Sequence, residues 1–263
     1  MAKSKANQYG SSTDIIKFNK VAWRKKLLVA VATEGWVRYE WANARYGQIT
    51  PVNWEASGFD ICYTALGYSI DDAYNLIVKR ALEQNAKWLI IIEDDVIVPQ
   101  DLFLKFSRYM DQNEYPVVSG LYYTKSEPSE PLVFRGRGNG PFRKFKRGQL
   151  VWCDGLPMGC LLISVSLLKW FWENKAETYN TVDGQTVKRV FETPRRLFID
   201  PQKGYEMQAG TQDLFFFDRV IEHGVLKATG WEKVARKKFP FLCDTSIQCL
   251  HIDRNSGKMY PMG

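Results

Sequence analysis

Three consecutive carboxylates, Glu93, Asp94 and Asp95, are the residues of this 263-residue chain whose types and spacing most clearly suggest chemistry. They directly follow Lys87–Ile92 (KWLIII), an apolar run that is typical of a parallel strand covered on both faces. Carboxylates crowded at the end of a buried strand repel one another unless a counter-ion is present. Hard divalent ions such as Mg²⁺ or Mn²⁺ take oxygen ligands of this kind.

The direction of each side chain depends on the backbone that carries it. Alternate residues of an extended segment point the same way, so we expect Glu93 and Asp95 to reach one cation while Asp94 faces elsewhere. The alternative is a strand end whose solvated acids stabilise the start of the next helix.

Asp213 and His251 are the next candidates. Asp213 stands in the sequence GTQD at the start of an amphipathic helix predicted over Thr211–Gly224, with Thr211 as its cap and Gly224 at its end. A helix N-terminus keeps a carboxylate ionised, so Asp213 suits a general base near neutral pH only if burial offsets that effect. His251 follows a strand-like run, and a neutral imidazole is a good ligand for Mn²⁺. The alternatives are a capping role for Asp213 and a structural or exposed His251.

Strands and helices that alternate along the chain must position these groups. Apolar runs predict strands over Lys25–Thr33, Phe59–Leu66, Lys87–Ile92, Pro116–Tyr123 and Cys160–Val165. Apolar residues at helical spacing predict helices over Asp71–Asn85, which Ser69 opens, over Asp101–Met110 and after Val165. This order is typical of an α/β sheet of the nucleotide-binding kind, whose ligands sit at the carboxyl ends of the strands.

Composition places the chain among ordinary globular proteins, with 45% apolar, 14% aromatic and 25% charged residues. The net charge of +7 favours polyanionic partners but does not demand nucleic acid. No apolar run approaches the roughly 20 residues of a membrane span, and no apolar core of a signal peptide follows the N-terminal lysines. We therefore expect a loose arm over residues 1–22, a single domain over 23–251 and a tail over 252–263.

The five cysteines form no C-x-x-C pair, so neither a zinc cage nor a disulfide framework is indicated. Reduced thiols in the cytoplasm are the simplest interpretation, with peripheral binding at a membrane surface left open. The chain has no P-loop, no G-x-G-x-x-G fingerprint and no G-x-S-x-G elbow.

Several motifs occur in the order found in glycosyltransferases of the A-type fold: WLIIIEDDV, PVVSGLYY, DGLPMGCLLIS and GTQDLFFFDRVIEHG. Over roughly Lys25 to His251 the chain resembles this family, and most closely the small enzymes related to the inverting family-two transferases. The resemblance implies an α/β fold in which helices flank a mostly parallel central sheet, with an irregular basic loop or hairpin as an insertion. It also implies a nucleotide-sugar donor.

In that family an Asp-x-Asp element holds the metal that bridges the donor diphosphate, and residues 93–95 match it with Glu93 in place of the first Asp. The resemblance makes Asp95 the main ligand of Mn²⁺ or Mg²⁺, and Glu93 or Asp94 a contact of the metal or the donor. By the same resemblance His251 completes the metal site, and Asp213 deprotonates the acceptor hydroxyl.

The other matching positions surround the donor and the acceptor. The donor-side positions are Thr33, Glu34, Asp72 and Asn75. The acceptor-side positions, in the loop beneath the acceptor, are Gly155, Met158 and Gly159. Helix capping by Asp72 and a tight turn at the two glycines are the alternatives.

The segment Ser126–Gly148 is rich in Pro, Gly and Arg, and we expect it to form a hairpin or a mobile loop over the sheet edge. Cations and aromatic residues alternate in its basic part, residues 135–147. A solvated loop, a site for the donor diphosphate or an anionic acceptor, and a contact with nucleic acid are the three interpretations. Thr178–Gly210 is predicted to be irregular.

The sequence therefore predicts a metal-dependent glycosyltransferase, with inversion inferred from the family. The acceptor stays open between a glycan, a lipid-linked sugar, a protein and a modified nucleic-acid base. One rival is a sugar nucleotidyltransferase or a metal-dependent phosphohydrolase with the same carboxylates, although Thr33-Glu34-Gly35 supplies no glycine-rich loop. Another is a non-catalytic module that binds nucleic acid through residues 135–147.

Overall fold

A seven-stranded sheet forms the centre of the structure, a computed structural model that describes residues 26–51, 54, 63–136, 139–202 and 204–260. The arm predicted over residues 1–22 lies outside the described residues. The strands are β1 (Leu27–Thr33), β2 (Tyr63–Leu66), β3 (Trp88–Ile92), β4 (Val96–Ile97), β5 (Val117–Leu121), β6 (Leu150–Cys153), β7 (Cys160–Ser164), β8 (Thr178–Asn180), β9 (Thr186–Lys188), β10 (Arg195–Asp200), β11 (Gly204–Ala209), β12 (Phe241–Gln248), β13 (Leu250–Ile252) and β14 (Met259–Tyr260). The helices are α1 (Tyr39–Tyr46), α2 (Ile70–Glu83), α3 (Leu102–Gln112), α4 (Val165–Asn174), α5 (Gln212–Glu222), α6 (Val225–Ala228) and α7 (Glu232–Ala235).

The central sheet has the strand order β2-β1-β3-β7-β5-β12-β6. Strand β1 pairs in parallel with β2 and β3, and β5 pairs in parallel with β12. Strand β7, between β3 and β5, and strand β6, at the edge, run antiparallel to their neighbours. Five of the seven strands thus point the same way, and their carboxyl ends meet at one edge. The predicted α/β fold with a mostly parallel central sheet is confirmed.

Apolar side chains cover both faces of this sheet. Every residue of β3 is buried, as the run KWLIII predicts. Leu89 and Ile91 pack into the core layer that includes α2 and α5. Ile90 and Ile92 pack into the opposite layer, which includes α3. This alternation is the two-residue period of a strand.

The helix predicted over Asp71–Asn85 is observed as α2, and Ser69 is its N-cap, since its side chain accepts a hydrogen bond from Asp72 N–H at 3.4 Å. The helix predicted over Thr211–Gly224 is observed as α5. Thr211 occupies the N-cap position there without making a capping hydrogen bond. No helix in the described part of the chain is long and apolar enough to cross a membrane.

Three regions differ from the sequence-based picture. Helix α1 was not predicted, and Thr178–Gly210, predicted to be irregular, contains the antiparallel hairpins β8–β9 and β10–β11. Residues 250–260 extend the ordered chain beyond the predicted boundary at residue 251, because β13 pairs with both β4 and β14. The strands β8, β9, β13 and β14 have only two or three residues, and β10 (RRLFID) and β11 (GYEMQA) mix polar and apolar residues, so none produces the continuous apolar run by which a buried strand is recognised.

Candidate active site

The carboxyl edge of the sheet carries most of the predicted site residues. Thr33 ends β1, residues 93–95 follow β3, and Asp213 lies in the first turn of α5. His251 reaches the same edge from β13, whose partner β4 begins directly after the carboxylates. The topology therefore brings together residues that are far apart in the sequence.

The acidic residues form a tight turn and not the extended segment that we predicted. Val96 N–H donates to the Glu93 carbonyl at 3.1 Å and closes a β-turn over residues 93–96. Each carboxylate has its own partner: Glu93 bonds to Tyr74, Asp94 to Arg254, and Asp95 to Lys125. The extended backbone assumed for residues 93–95 is therefore not observed, and a cation shared by Glu93 and Asp95 stays a prediction.

The surroundings of Glu93 favour its protonated form. Tyr74 donates its hydroxyl to Glu93 Oε1 at 2.5 Å. Burial of the carboxyl group raises the pKa of Glu93 to about 8, and the negative charges of Asp95 and Asp213 act in the same direction. Asp213 thus lies within electrostatic reach of Glu93.

The raised pKa of Glu93 predicts how the stability of the metal-free protein depends on pH. The folded state binds the Glu93 proton more tightly than the unfolded chain, whose carboxyl has a pKa near 4.5. The free energy of unfolding should therefore fall by about 3 to 4 kcal/mol as pH rises from about 5 to about 8. Glu93→Gln, which stays neutral and can still accept from Tyr74, should remove this slope in urea denaturation. A slope that survives in the variant would place the titration elsewhere.

Asp94 lies on the β1 side of the turn. It is 7% exposed, its carboxylate hydrogen-bonds the Thr33 hydroxyl, and Arg254 donates to its Oδ2 at 2.9 Å. Burial raises the pKa of Asp94, although Thr33 and Arg254 both act to lower it. Glu34 is mostly exposed and lies 3.7 Å from the same guanidinium. Arg254 therefore joins Glu34 and Asp94, and Thr33 bonds to Asp94.

Asp95 lies on the other side of the turn, among cations. Lys125 makes a short ion pair with Asp95 Oδ2, and His251 Nε2 lies 3.4 Å from the same oxygen. Burial would raise the pKa of Asp95, but hydrogen bonds and charge from His251 and Lys125 outweigh it and lower the pKa to about 2. The carboxylate is therefore ionised at every physiological pH.

The hydrogen bonds of His251 determine which way its lone pair points. Its Nδ1 lies 2.8 Å from the Tyr123 carbonyl oxygen, which can only accept, so Nδ1 carries a proton. In a neutral imidazole Nε2 then presents its lone pair to the Asp95 carboxylate. The Lys125 ammonium lies against the same Asp95 oxygen and supplies the positive charge that this pair of electron-rich groups requires. Metal-ligating histidines are commonly oriented by a backbone carbonyl in this way.

Asp213 meets the condition that the sequence set for a general base. Burial raises its pKa, against the opposing hydrogen bonds from the Thr211 hydroxyl and the Leu214 N–H. The Leu214 bond measures 2.8 Å. Burial thus offsets the stabilisation that the start of α5 provides.

Asn75 and Asp72 serve the fold, which corrects the predicted donor-side role of Asn75. Asn75 is fully buried; its side-chain oxygen accepts from the N–H groups of Val190 and Phe191, and its NH₂ donates to the Phe191 carbonyl and the Tyr179 hydroxyl. Tyr179 in turn donates to Asp72 at 2.7 Å. These bonds use the hydrogen-bonding capacity of Asn75 and fix residues 179–191 on α2, so Asn75 is not assigned to the donor, whereas the donor-side role of Asp72 stays a prediction.

Asn75→Ala is expected to lower the free energy of unfolding by about 3 kcal/mol, because the buried N–H groups of Val190 and Phe191 would lose their hydrogen-bond acceptor. Urea denaturation at neutral pH measures this loss. The matched control is Asn174→Ala, whose exposed side chain donates only to the Trp170 carbonyl at 2.8 Å and should change stability by less than about 0.5 kcal/mol. Similar losses in both variants would contradict the structural role of Asn75.

The predicted acceptor loop is tightly packed at two of its three positions. Met158 is buried in the core, which corrects its predicted contact with the acceptor. A Cβ on Gly159 would lie 2.6 Å from Tyr122 Cζ, so glycine is required there for the Tyr122 ring to fit. Gly155 lines a cavity of about 220 Å³ together with Leu214, the neighbour of Asp213. Gly155 thus borders a space that an acceptor could use.

Sequence reasoning missed the partners of the carboxylates. These are Tyr74, Lys125 and Arg254, with Trp41, whose indole N–H donates to the Glu93 carbonyl at 2.6 Å. Tyr74 belongs to a predicted helix, where an aromatic side chain is normally interpreted as part of the hydrophobic core. Arg254 lies in the segment that was predicted to be a tail. No local pattern marks a single Lys or Arg as a partner of a distant acid.

The chain matches no protein-family model and no curated protein. Among solved structures it is similar to A197 from STIV, with 14% identity over 90% of this chain and 94% of that chain, at a TM-score of 0.49. A second is a protein described as a UDP-N-acetylglucosamine pyrophosphorylase from Entamoeba histolytica, with 10% identity over 78% and 73% of the two chains and a TM-score of 0.35.

A third similar structure is a protein described as a glucose-1-phosphate thymidylyltransferase from Bacillus anthracis in complex with a sucrose. It shares 10% identity over 57% of this chain and 76% of that chain, at a TM-score of 0.32. At these identities the chemistry of the present site has to be argued from its own residues.

Proposed function

We propose that the protein is a metal-dependent glycosyltransferase that moves a sugar from a nucleotide-diphosphate donor to an acceptor hydroxyl with inversion. The observation that carries the proposal is the orientation of His251 Nε2 toward the Asp95 carboxylate at the carboxyl edge of the sheet. Asp213 lies within electrostatic reach of the same turn, which gives the edge both a cation site and a candidate base.

Asp95 and His251 fit Mn²⁺ or Mg²⁺. A metal ion at Asp95 would have to displace the Lys125 ammonium, which now pairs with Asp95 Oδ2. Within the described residues no three His, Cys, Asp or Glu side chains converge on one point. Mg²⁺ is commonly bound by only one or two carboxylates together with substrate phosphates. When bound, the ion would offset the charge that develops on a departing diphosphate.

The chain's own residues supply the proton transfer and the remaining charge. Asp213, as a carboxylate, accepts the proton of the acceptor hydroxyl while the acceptor oxygen bonds to the anomeric carbon. The bond from that carbon to the diphosphate oxygen breaks, and the diphosphate leaves with the electron pair. Arg254 and Lys125, now paired with Asp94 and Asp95, are the cations that can transfer their contacts to the phosphate oxygens.

The acceptor side of this proposal is the cavity beside α5. Gly155 and Leu214 both line it, and Leu214 directly follows the proposed base. An acceptor seated there would lie one residue along the chain from Asp213.

A thermal-shift experiment with nucleoside diphosphates tests the proposal. We expect one nucleoside diphosphate to raise the unfolding temperature by several degrees at saturation, and only when Mn²⁺ is also present. Product analysis of the matching nucleotide sugar then separates the reaction classes. Release of a nucleoside diphosphate supports glycosyl transfer, whereas release of pyrophosphate from a nucleoside triphosphate and a sugar phosphate would replace it with nucleotidyl transfer.

A further inference from the structure

A long groove lies at the amino edge of the central sheet, opposite the carboxylates. Two adjoining cavities of about 760 and 720 Å³ form it, and they share Asn113, Gly230 and Trp231 in their lining. Lys87, directly before β3, and Ser164, at the end of antiparallel β7, place the groove at this edge. None of the residues proposed for sugar transfer lines it.

Half-buried aromatic rings line the second cavity. Tyr115 and Trp152 form a pair with their ring centroids 5.8 Å apart. Trp231 lies in the part shared with the first cavity, and its indole N–H donates to Ser166 at 3.2 Å, which fixes the ring. The groove therefore presents flat, fixed ring systems along its length.

Cations surround the Trp152 end of the groove. Lys233 and Lys237 line it, and the Lys237 ammonium lies 4.1 Å from the centroid of the Trp152 ring. Glu114 and Glu232 balance these two charges within the lining. The positive excess comes from exposed residues of two basic segments outside the lining, which are Lys144, Lys146, Arg147, Arg236 and Lys238, whereas Arg143 pairs with Glu130.

The fold brings the two basic segments, residues 143–147 and 236–238, to the same strand. Arg135 donates to the Trp152 carbonyl at 2.8 Å and lies over the rings of both Phe142 and Phe239. At the other end of β6, the Thr245 hydroxyl donates to the carbonyls of Lys146 and Gln149. The basic segment of the sequence thus follows the outer edge of β6 and reaches the groove at Trp152.

We infer that this groove and the β6 edge bind a single-stranded nucleic acid, with bases against Trp152, Tyr115 and Trp231 and phosphates on the flanking cations. Sites for single strands combine a positively charged path for the backbone with aromatic rings on which bases stack. Here both elements are present and continuous. The groove shares no lining residue with the proposed transfer site, whereas Arg147, on the basic segment, acts electrostatically on Tyr123, whose carbonyl oxygen binds His251.

The same cations could in principle attract an anionic membrane, but the surface lacks an anchor for one. Peripheral membrane binding normally adds buried apolar side chains or an amphipathic helix to the electrostatic attraction. Among the described residues of the two basic segments and β6, Leu150 is the only large aliphatic side chain that is strongly exposed. The bases of a single-stranded nucleic acid can stack on the aromatic rings that this surface presents, so we argue for nucleic acid.

Fluorescence anisotropy with a labelled 20-nucleotide oligo(dT) tests the inference. We expect binding at low salt, weaker binding to a hairpin duplex with as many phosphates, and a steep loss of affinity as salt increases. The double variant Lys144→Ala/Lys237→Ala should lower the slope of log K against log salt by about 1.4, at about 0.7 for each lost phosphate contact.

The matched control is Lys79→Ala/Arg189→Ala, which removes two cations whose contacts lie at Thr186 and Tyr179, around the β8–β9 hairpin. It should leave the slope unchanged, and thermal unfolding should show both variants folded. The inference would be overturned if the oligonucleotide did not bind at low salt or if the duplex bound with equal affinity. It would also be overturned if the salt slope fell equally in both double variants. Tighter binding to phosphatidylserine vesicles than to the oligonucleotide would overturn it in favour of a membrane.

Discussion

Asp95→Asn is expected to reduce donor-dependent sugar transfer by about a thousandfold, because a bound cation contributes several kcal/mol to transition-state stabilisation. The Asn side chain keeps the shape of Asp95 and loses the charge that faces His251 and Lys125. The Mn²⁺-dependent thermal stabilisation by a nucleoside diphosphate should disappear in the same variant. Initial rates at saturating donor, with and without added Mn²⁺, measure the first effect.

The matched control for Asp95→Asn is Asp101→Asn, at a more exposed carboxylate that pairs with Lys105 at 3.1 Å on the next helix. This variant should keep both the activity and the metal-dependent stabilisation. If Asp95→Asn also retained them, the cation would have to bind elsewhere, and the proposal for the carboxyl edge would be wrong.

Asp213→Asn is expected to lower kcat by 10² to 10⁴-fold, the usual range for loss of a general base, with little effect on donor binding. The sign of the pH dependence follows from burial, which raises the pKa of Asp213 above its ordinary value. The base works only when ionised, so the rate of the unmodified protein should rise as pH increases through that pKa. The variant should lose this ascending limb.

Glu222→Gln, near the opposite end of the same helix, is the control for Asp213→Asn, since it removes one exposed negative charge from α5. Its rate and pH profile should match those of the unmodified protein. If the Asp213→Asn variant kept a normal kcat, another group would have to act as the base, and Asp213 would be interpreted as a capping residue.

The parts of the structure that follow from strong local patterns were predictable. KWLIII has no polar residue to expose beyond its first position, so it could only be a central strand, and Ser69 before Asp71 and Asp72 is a standard helix start. The positions of Thr33 and Asp95 at strand ends then follow from the topology. Asp213 was predictable as a first-turn residue, but only the packing around it supplies the burial that raises its pKa.

The predictions failed where contacts between residues distant in the sequence determine the structure. A β-turn or an extended segment is equally compatible with Glu-Asp-Asp, and the hydrogen bond from Val96 decides for the turn. We predicted a donor contact for Asn75 because its position in the helix does not reveal that residues 190 and 191 pack against it. Arg254 lies 160 residues from Asp94, and such a pairing leaves no trace in local sequence.

The ion pair between Lys125 and Asp95 has a practical consequence for handling the protein. Proteins that fold around a metal unfold when a chelator removes it, since the ligands then lose their only counter-charge. Here Lys125 neutralises Asp95, Arg254 neutralises Asp94, and the surroundings of Glu93 favour its protonated form. EDTA should therefore yield a folded apoprotein with an unchanged melting temperature, in which the identity of the working ion can be established by adding back one metal at a time.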